Sequence, residues 1–163
     1  MKIINNIDYV GRGNPEQMLD LYLPDAESFP VFVYFHGGGI EAGHIAGVSF
    51  FDGLQKQGIA VISAEYRMYP QAKYPEFILD VAESVAWVFK NIGNYGKSTG
   101  IYVGGSSAGG YMSQLLCFNK EYLAKHNINV MDIAGFVHDA GQPTAHFNIL
   151  QKNLYLHKEK AKS

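Results

Sequence analysis

Apolar runs alternate with longer stretches of helical period along this chain, and the alternation predicts a layered α/β fold. Residues 18–23 alternate apolar and polar positions as a half-exposed strand does, and Pro24 ends the pattern. Residues 31–35 form a continuous apolar run, which is typical of a strand buried on both faces of a parallel sheet. Further strands are predicted at 59–64, 101–104 and near 132–138.

Three predicted helices lie between or after these strands. One face of the first helix carries Val48, Phe51 and Leu54. This helix ends at Gly58, since glycine favours the position just past a helix C-terminus. Pro75 suits the first turn of the second helix, which has an apolar stripe and ends before Gly93, and the third helix begins near 109. Strands that alternate with helices predict a mostly parallel sheet with right-handed crossovers.

Composition narrows the class of protein to a single globular domain. The chain has 163 residues, of which 47% are hydrophobic, enough for a sizeable core. The net charge of −2 and the scattered basic residues favour neither a nucleic acid nor an acidic membrane as partner. No run approaches the about 18 apolar residues of a membrane span, and no signal peptide is visible, so we expect a cytoplasmic chain. The lone cysteine, Cys117, stands in an apolar stretch and is predicted to be a buried thiol.

Two glycine-rich turns follow predicted strands and mark the candidate site. His36-Gly37-Gly38-Gly39 comes directly after strand 31–35, and consecutive glycines let backbone N–H groups point at a substrate oxygen. Gly105-Ser106-Ser107-Ala108-Gly109 has the pattern Gly-X-Ser-X-Gly between a strand and a helix. Such a turn exposes its serine hydroxyl above the sheet edge, so Ser107 is a candidate nucleophile. The N–H of Ala108 would add a further donor beside it.

A third motif stands between these two turns in the sequence. It is Glu65-Tyr66-Arg67-Met68-Tyr69-Pro70, with Tyr74-Pro75 and Asp80 downstream. With all three motifs in this order and spacing, the chain resembles the hormone-sensitive-lipase-like and acetyl-xylan-esterase-like carboxylesterases of the α/β-hydrolase fold. The resemblance covers roughly residues 10–140. It implies a serine hydrolase that acts on small acyl esters, acetyl esters among them, without a cofactor or a metal.

The resemblance also assigns roles to individual residues. It implies that Ser107 is the catalytic nucleophile. It implies that the oxyanion hole consists of the N–H groups of Gly38, Gly39 and Ala108. His36 would brace the glycine turn rather than catalyse, while Tyr66 and Arg67 would be structural.

One departure from the family concerns the acid and the histidine that should follow the serine in the order Ser, Asp or Glu, His. The family's acid follows the strand after the one that ends near His138, and its histidine follows the strand after that. Only 25 residues remain from Asp139 to Ser163, and they contain no convincing buried strand. Asp139 with His146 or His157 would keep the chain order, but we interpret these side chains, and His138, as loop and capping residues.

The expected architecture is therefore an α/β-hydrolase sheet that lacks its last two strands and their helices. Residues 1–150 would form the truncated domain and residues 151–163 a Lys-rich C-terminal tail. Esterase activity is expected to be weak or absent. The alternative function is that of a catalytically inactive hydrolase fragment or pseudoenzyme that serves as a binding or interaction domain. The strand near 132–138 would be a bare sheet edge, which predicts self-association into a homo-oligomer.

One other interpretation of the sequence remains open at this point. Gly37-X-Gly39-X-X-Ala42 fits a dinucleotide-binding fingerprint, with Glu65 at the end of the next strand as the residue that would hold a ribose. That fingerprint gives no reason for His36 or for the serine turn, so the hydrolase interpretation is preferred. The sequence does not predict a metal site. No pair among His44, His126 and His157 has the spacing of metal ligands together with a carboxylate.

Overall fold

Six strands form one mixed sheet in residues 1–45 and 50–141, the part of the chain that the computed structural model describes. The strands are β1 (Lys2–Asp8), β2 (Met18–Leu23), β3 (Ser28–Phe35), β4 (Ala60–Ala64), β5 (Lys97–Ser106) and β6 (Gly135–Asp139). Their order across the sheet is β1-β2-β4-β3-β5-β6. The pairs β4·β3, β3·β5 and β5·β6 are parallel, whereas β1·β2 and β2·β4 are antiparallel. The sheet is thus mostly parallel, as predicted.

Helices cover both faces of this sheet. They are α1 (Phe51–Lys56), α2 (Glu76–Asn91), α3 (Ala108–Phe118) and α4 (Glu121–Ala124), with 3₁₀ turns at Pro15–Gln17, Ile92–Asn94 and Val130–Asp132. The larger core joins α2 and α3 to one face of the central strands, where Val31, Val33 and Phe35 are buried. On the other face, Phe51 of α1 packs against Tyr34. None of the helices in the described ranges has the length and apolarity that crossing a membrane requires.

The predicted strands and helices are confirmed, with shifts at their ends. The strand predicted at 18–23 matches β2, and the run 31–35 is the inner part of β3. The last strand begins at Gly135 rather than near residue 132, because a 3₁₀ turn precedes it. Pro75 is the N-cap of α2 and not a residue of its first turn, and helical backbone continues as a 3₁₀ turn through Gly93. Val48, assigned to the first helix, lies outside the described residues.

Strand β1 was not predicted from the sequence, and the predicted burial of Cys117 is wrong. In β1 the polar Asn5 and Asn6 interrupt any apolar alternation, and the pairing with β2 shifts register between Ile4 and Ile7. Asn6 has a positive φ of 58°, and its N–H donates to the Asp20 carboxylate instead of to the ladder. Cys117 is half-buried and not buried, because the apolar run at the end of α3 winds around the helix.

Strand β6 is the outer strand at one end of the sheet. Among the described residues it pairs with β5 alone, in the register Gly105↔His138 and Ser106↔Asp139. Val137 of β6 and Tyr102 of β5 are 49% and 39% exposed on the sheet face that α1 packs against. The carboxyl ends of β3, β5 and β6 meet at one edge of the sheet, which is where an open α/β sheet places its ligands.

Candidate active site

The serine turn joins β5 directly to α3 at the carboxyl end of the sheet. Ser107 is exposed and has φ 52° and ψ −111°, a conformation that serine rarely adopts. Its N–H donates to the Asp139 carbonyl at 2.8 Å, and its carbonyl accepts from the Tyr111 N–H at 2.9 Å. The ends of β5 and β6 and the first turn of α3 therefore hold Ser107 in its unusual conformation.

Both glycines of the Gly-X-Ser-X-Gly pattern press against the end of β3. A Cβ at Gly105 would lie 2.4 Å from the Phe35 carbonyl oxygen, and a Cβ at Gly109 would lie 2.0 Å from it. Neither position has room for a side chain because the obstacle is backbone. The pattern is therefore required by the packing of this turn, which agrees with the sequence argument for small residues around Ser107.

The first glycine turn lies against the serine turn. A Cβ built at Gly37 would be 3.2 Å from the Ser107 Cβ. Gly38 and Gly39 follow with φ of 118° and 67°, and the Gly38 carbonyl accepts N–H groups from residues 41 and 42 to close the turn. Ala108 is the first residue of α3, where a backbone N–H has no partner inside the helix. The structure thus brings the four residues assigned from the sequence to one edge of the sheet.

His36 is buried beneath the glycine turn and is held on both sides of its ring. Its Nδ1 lies 2.6 Å from the Gly37 carbonyl, and its Nε2 lies 3.0 Å from a carboxylate oxygen of Glu65. The ring stacks on Tyr66 at 4.6 Å between centroids, and the Tyr66 hydroxyl donates to the His36 carbonyl at 2.9 Å. These contacts agree with the bracing role that was predicted for His36.

Glu65 is buried and faces the same turn. Its carboxylate accepts hydrogen bonds from His36, from the Ile45 N–H at 2.9 Å and from His44. Burial alone would raise the pKa of Glu65, but these three hydrogen bonds outweigh it and hold the pKa below its usual range. The dinucleotide-binding fingerprint requires a helix that begins at the glycines, whereas residues 36–45 form turns and irregular backbone, and the Glu65 carboxylate already binds three donors. The dinucleotide-binding interpretation is therefore wrong.

Arg67 and Asp80 form a structural pair beside β4. The guanidinium donates twice to the buried carboxylate, with both N···O distances at 2.8 Å. The Arg67 N–H and the Gln17 side chain donate to the same carboxylate. Asp80 thus ties α2 to the segment after β4 and to the turn before β2, and Arg67 is structural, as predicted.

Every histidine in the described ranges engages a partner other than Ser107. His44 contacts Glu65, His126 lies 3.8 Å from Glu83, and His138 contacts Ser113 of α3. His146 and His157 lie outside the described residues. These pairings could not be predicted from the sequence, because each one joins residues that are far apart along the chain.

A hydrogen bond with Ser113 of α3 orients the ring of His138. Ser113 Oγ donates to the Gly110 carbonyl, so it accepts from His138 Nδ1 at 2.7 Å and leaves Nε2 without the proton. Ser113 comes six positions after Ser107, which is about 9 Å along α3 at a rise of 1.5 Å per residue. The Nδ1 atom of His138 therefore faces Ser113 and not the Ser107 hydroxyl. Asp139 reaches Ser107 only through its carbonyl, and its side chain is exposed.

Replacing His138 by asparagine should flatten the pH dependence of stability below pH 6.5. Burial lowers the pKa of His138 below its ordinary value, so the unfolded chain binds a proton there before the folded chain does. The free energy of unfolding of the wild type should then fall as the pH drops from about 6.5 towards the lowered pKa. Urea unfolding across this range measures the effect. Equal slopes in wild type and variant would contradict it.

Comparison with known proteins places the chain in a family. The BD-FAE family model matches residues 19–148. Esterase LipC of Mycobacterium tuberculosis is 34% identical over 109 residues, which are 63% of this chain and 27% of LipC. The probable isoprenylcysteine alpha-carbonyl methylesterase ICMEL2 of Arabidopsis thaliana is 34% identical over 113 residues, 66% of this chain and 26% of the plant protein. The chain thus spans about a quarter of the length of these two relatives.

Solved structures agree with this placement. An esterase of Pyrobaculum calidifontis superposes with a TM-score of 0.67 at 26% identity, covering 84% of this chain and 44% of the esterase. A truncated carbohydrate esterase from gut microbiota superposes with a TM-score of 0.64 at 27% identity, covering 69% of this chain and 41% of that protein. The chain belongs to the BD-FAE family, and its fold is that of the α/β-hydrolase carboxylesterases.

Proposed function

We propose that the chain is a serine hydrolase of the carboxylesterase type that acts on small acyl esters. Ser107 attacks the acyl carbon, and the N–H groups of Gly38, Gly39 and Ala108 hold the oxyanion of the tetrahedral intermediate. The ester bond then breaks, the alcohol leaves with the proton that the hydroxyl gives up, and water releases the acyl group from Ser107 as the acid. The observation that carries the proposal is the contact between the two glycine-rich turns, with Gly37 packed against Ser107. The relatives named above as esterases and methylesterase support the substrate class.

Activity of this chain is expected to be weak. A serine hydroxyl needs a base to take its proton, and the described histidines are each engaged elsewhere. An oxyanion hole and substrate binding alone sustain rates about 10³ to 10⁴ above the reaction in water. The same observation favours a second candidate function, that of an inactive hydrolase fragment or pseudoenzyme that binds a partner or ligand.

Turnover of p-nitrophenyl acetate with and without added imidazole tests the proposal. Imidazole can take the proton that no described histidine reaches, so it should accelerate the wild type more than it accelerates a Ser107→Ala variant. Mass spectrometry should find an acetyl group on the peptide that contains Ser107. Turnover equal to that of buffer, no acetyl group and no imidazole effect specific to the wild type would favour the inactive alternative.

We also propose that β6 pairs with the β6 of a second copy. A strand edge offers unpaired N–H and C=O groups, and a lysine on the edge opposes such pairing. Val137→Lys should therefore lower the weight-average mass in analytical ultracentrifugation. Met131→Lys is the matched control, because Met131 is 81% exposed and lies in the 3₁₀ turn before the strand. A wild type that stays monomeric at every concentration, or equal shifts in both variants, would refute the pairing.

A further inference from the structure

A single buried carboxylate fastens both ends of the segment that carries the glycine turn. Glu65 follows β4 and is 4% exposed. One of its oxygens accepts from His36, which directly precedes the glycines. The other accepts from the His44 ring and from the Ile45 N–H, which come at the far end of the segment. The ten residues 36–45 are thus closed into a loop on one side chain.

The interior of this loop is held by backbone hydrogen bonds and by the fully buried Ile40 side chain. The Gly38 carbonyl accepts from the N–H groups of Glu41 and Ala42, and the Ile40 carbonyl accepts from the Tyr69 N–H at 2.8 Å. Gly38 and Gly39 have positive φ values, which glycine adopts with little strain. Because glycine also adopts other backbone conformations at little cost, these two residues do not fix their own orientation. The orientation of their N–H groups therefore depends on the contacts that hold the loop, which are those at its two ends together with those of Ile40.

Charge explains why a carboxylate suits this position. Both ring nitrogens of His36 face an oxygen acceptor: Nδ1 faces the Gly37 carbonyl and Nε2 faces Glu65. An ionised carboxylate accepts several donors at once and forms hydrogen bonds about twice as strong as neutral ones. A glutamine has one acceptor oxygen and would turn its NH₂ group towards one of the three donors.

We propose that Glu65 is a positioning residue of the hydrolase site: by holding His36 at one end and His44 with Ile45 at the other, it keeps the loop that carries Gly38 and Gly39 in place against Ser107. The proposal rests on the proposed function, since it assigns the loop to the oxyanion hole. Glu65 acts through the loop and does not touch the substrate.

Amide hydrogen exchange and steady-state kinetics of Glu65→Gln, His44→Ala and the double variant test this role. Exchange at Glu41, Ala42 and Ile45 should accelerate in both single variants. In an active protein, kcat for p-nitrophenyl acetate should fall about 10²-fold in Glu65→Gln, the loss typical of one oxyanion donor, with little change in KM. The fall should be smaller in His44→Ala. In the Glu65→Gln background, His44→Ala should lower kcat only slightly further, because both substitutions act on the same loop.

Two features of this experiment keep its outcomes distinct. The His44 side chain is 72% exposed, so its alanine variant should fold even where Glu65→Gln does not. His126→Ala is the matched control, another histidine beside a carboxylate, and it should change neither exchange in the loop nor kcat.

Unchanged exchange in the loop overturns the proposal whatever the turnover. Faster exchange with unchanged kcat, or fully additive losses in the double variant, overturns it as well. A wild type without turnover refutes the proposed function instead, and exchange alone then decides whether Glu65 holds the loop.

Discussion

Ser107→Ala is expected to abolish covalent labelling of the chain by a fluorophosphonate probe. The probe reacts with a nucleophilic hydroxyl that stands beside oxyanion donors, and Ser107 is exposed at the junction of β5 and α3. Turnover of p-nitrophenyl acetate should also fall in the same variant, because binding and the oxyanion hole remain while the attacking hydroxyl is lost. Any wild-type rate above that of the variant is assigned to Ser107.

The neighbouring serine supplies a control for this result. Ser106 is the last residue of β5 and carries the same hydroxyl one position away. Ser106→Ala should keep both the label and the turnover, and peptide mapping should place the label on Ser107. If labelling persists in Ser107→Ala, or if it is lost in Ser106→Ala instead, Ser107 is not the nucleophile. Labelling without turnover would leave Ser107 in place as the nucleophile and indicate that a later step, the release of the acyl group by water, is lacking.

The features that the sequence predicted well are those set by local chemistry. The serine turn needs small residues within two positions of Ser107. A buried strand such as 31–35 can be predicted because every one of its positions is apolar. The structure adds the reason for Gly109, whose missing side chain makes room for the Phe35 carbonyl. Structural requirements of this kind involve neighbouring residues, so they can be recognised in the sequence.

The features that the sequence missed depend on residues far apart along the chain. Glu65 was considered as a ribose ligand, because nothing local shows that His36 and His44 converge on it from more than twenty positions away. The same holds for His138, whose ring partner Ser113 lies on another element. Strand β1 was missed because its pairing with β2 is irregular around Asn6 and its polar residues hide the alternation.

Gly109→Ala is expected to destabilise the fold strongly. The new Cβ would lie 2.0 Å from the Phe35 carbonyl oxygen and 2.7 Å from the His36 carbonyl oxygen. Both obstacles are backbone atoms, and the His36 carbonyl is also held by the Tyr66 hydroxyl, so neither can move alone. Overpacking of this kind costs about 3 kcal/mol in free energy of unfolding. Urea unfolding measures it.

Gly53→Ala separates this clash from the general effect of replacing a glycine. Gly53 lies inside α1, and nothing stands within 4 Å of a Cβ placed there. Alanine should therefore raise the free energy of unfolding by about 0.5 to 1 kcal/mol, because it costs less conformational entropy in a helix. Gly109→Ala should also lose the fluorophosphonate label, since the turn that carries Ser107 must shift away from β3. A Gly109→Ala variant as stable as Gly53→Ala would mean that the two glycine-rich turns do not pack as closely as the proposed oxyanion hole requires.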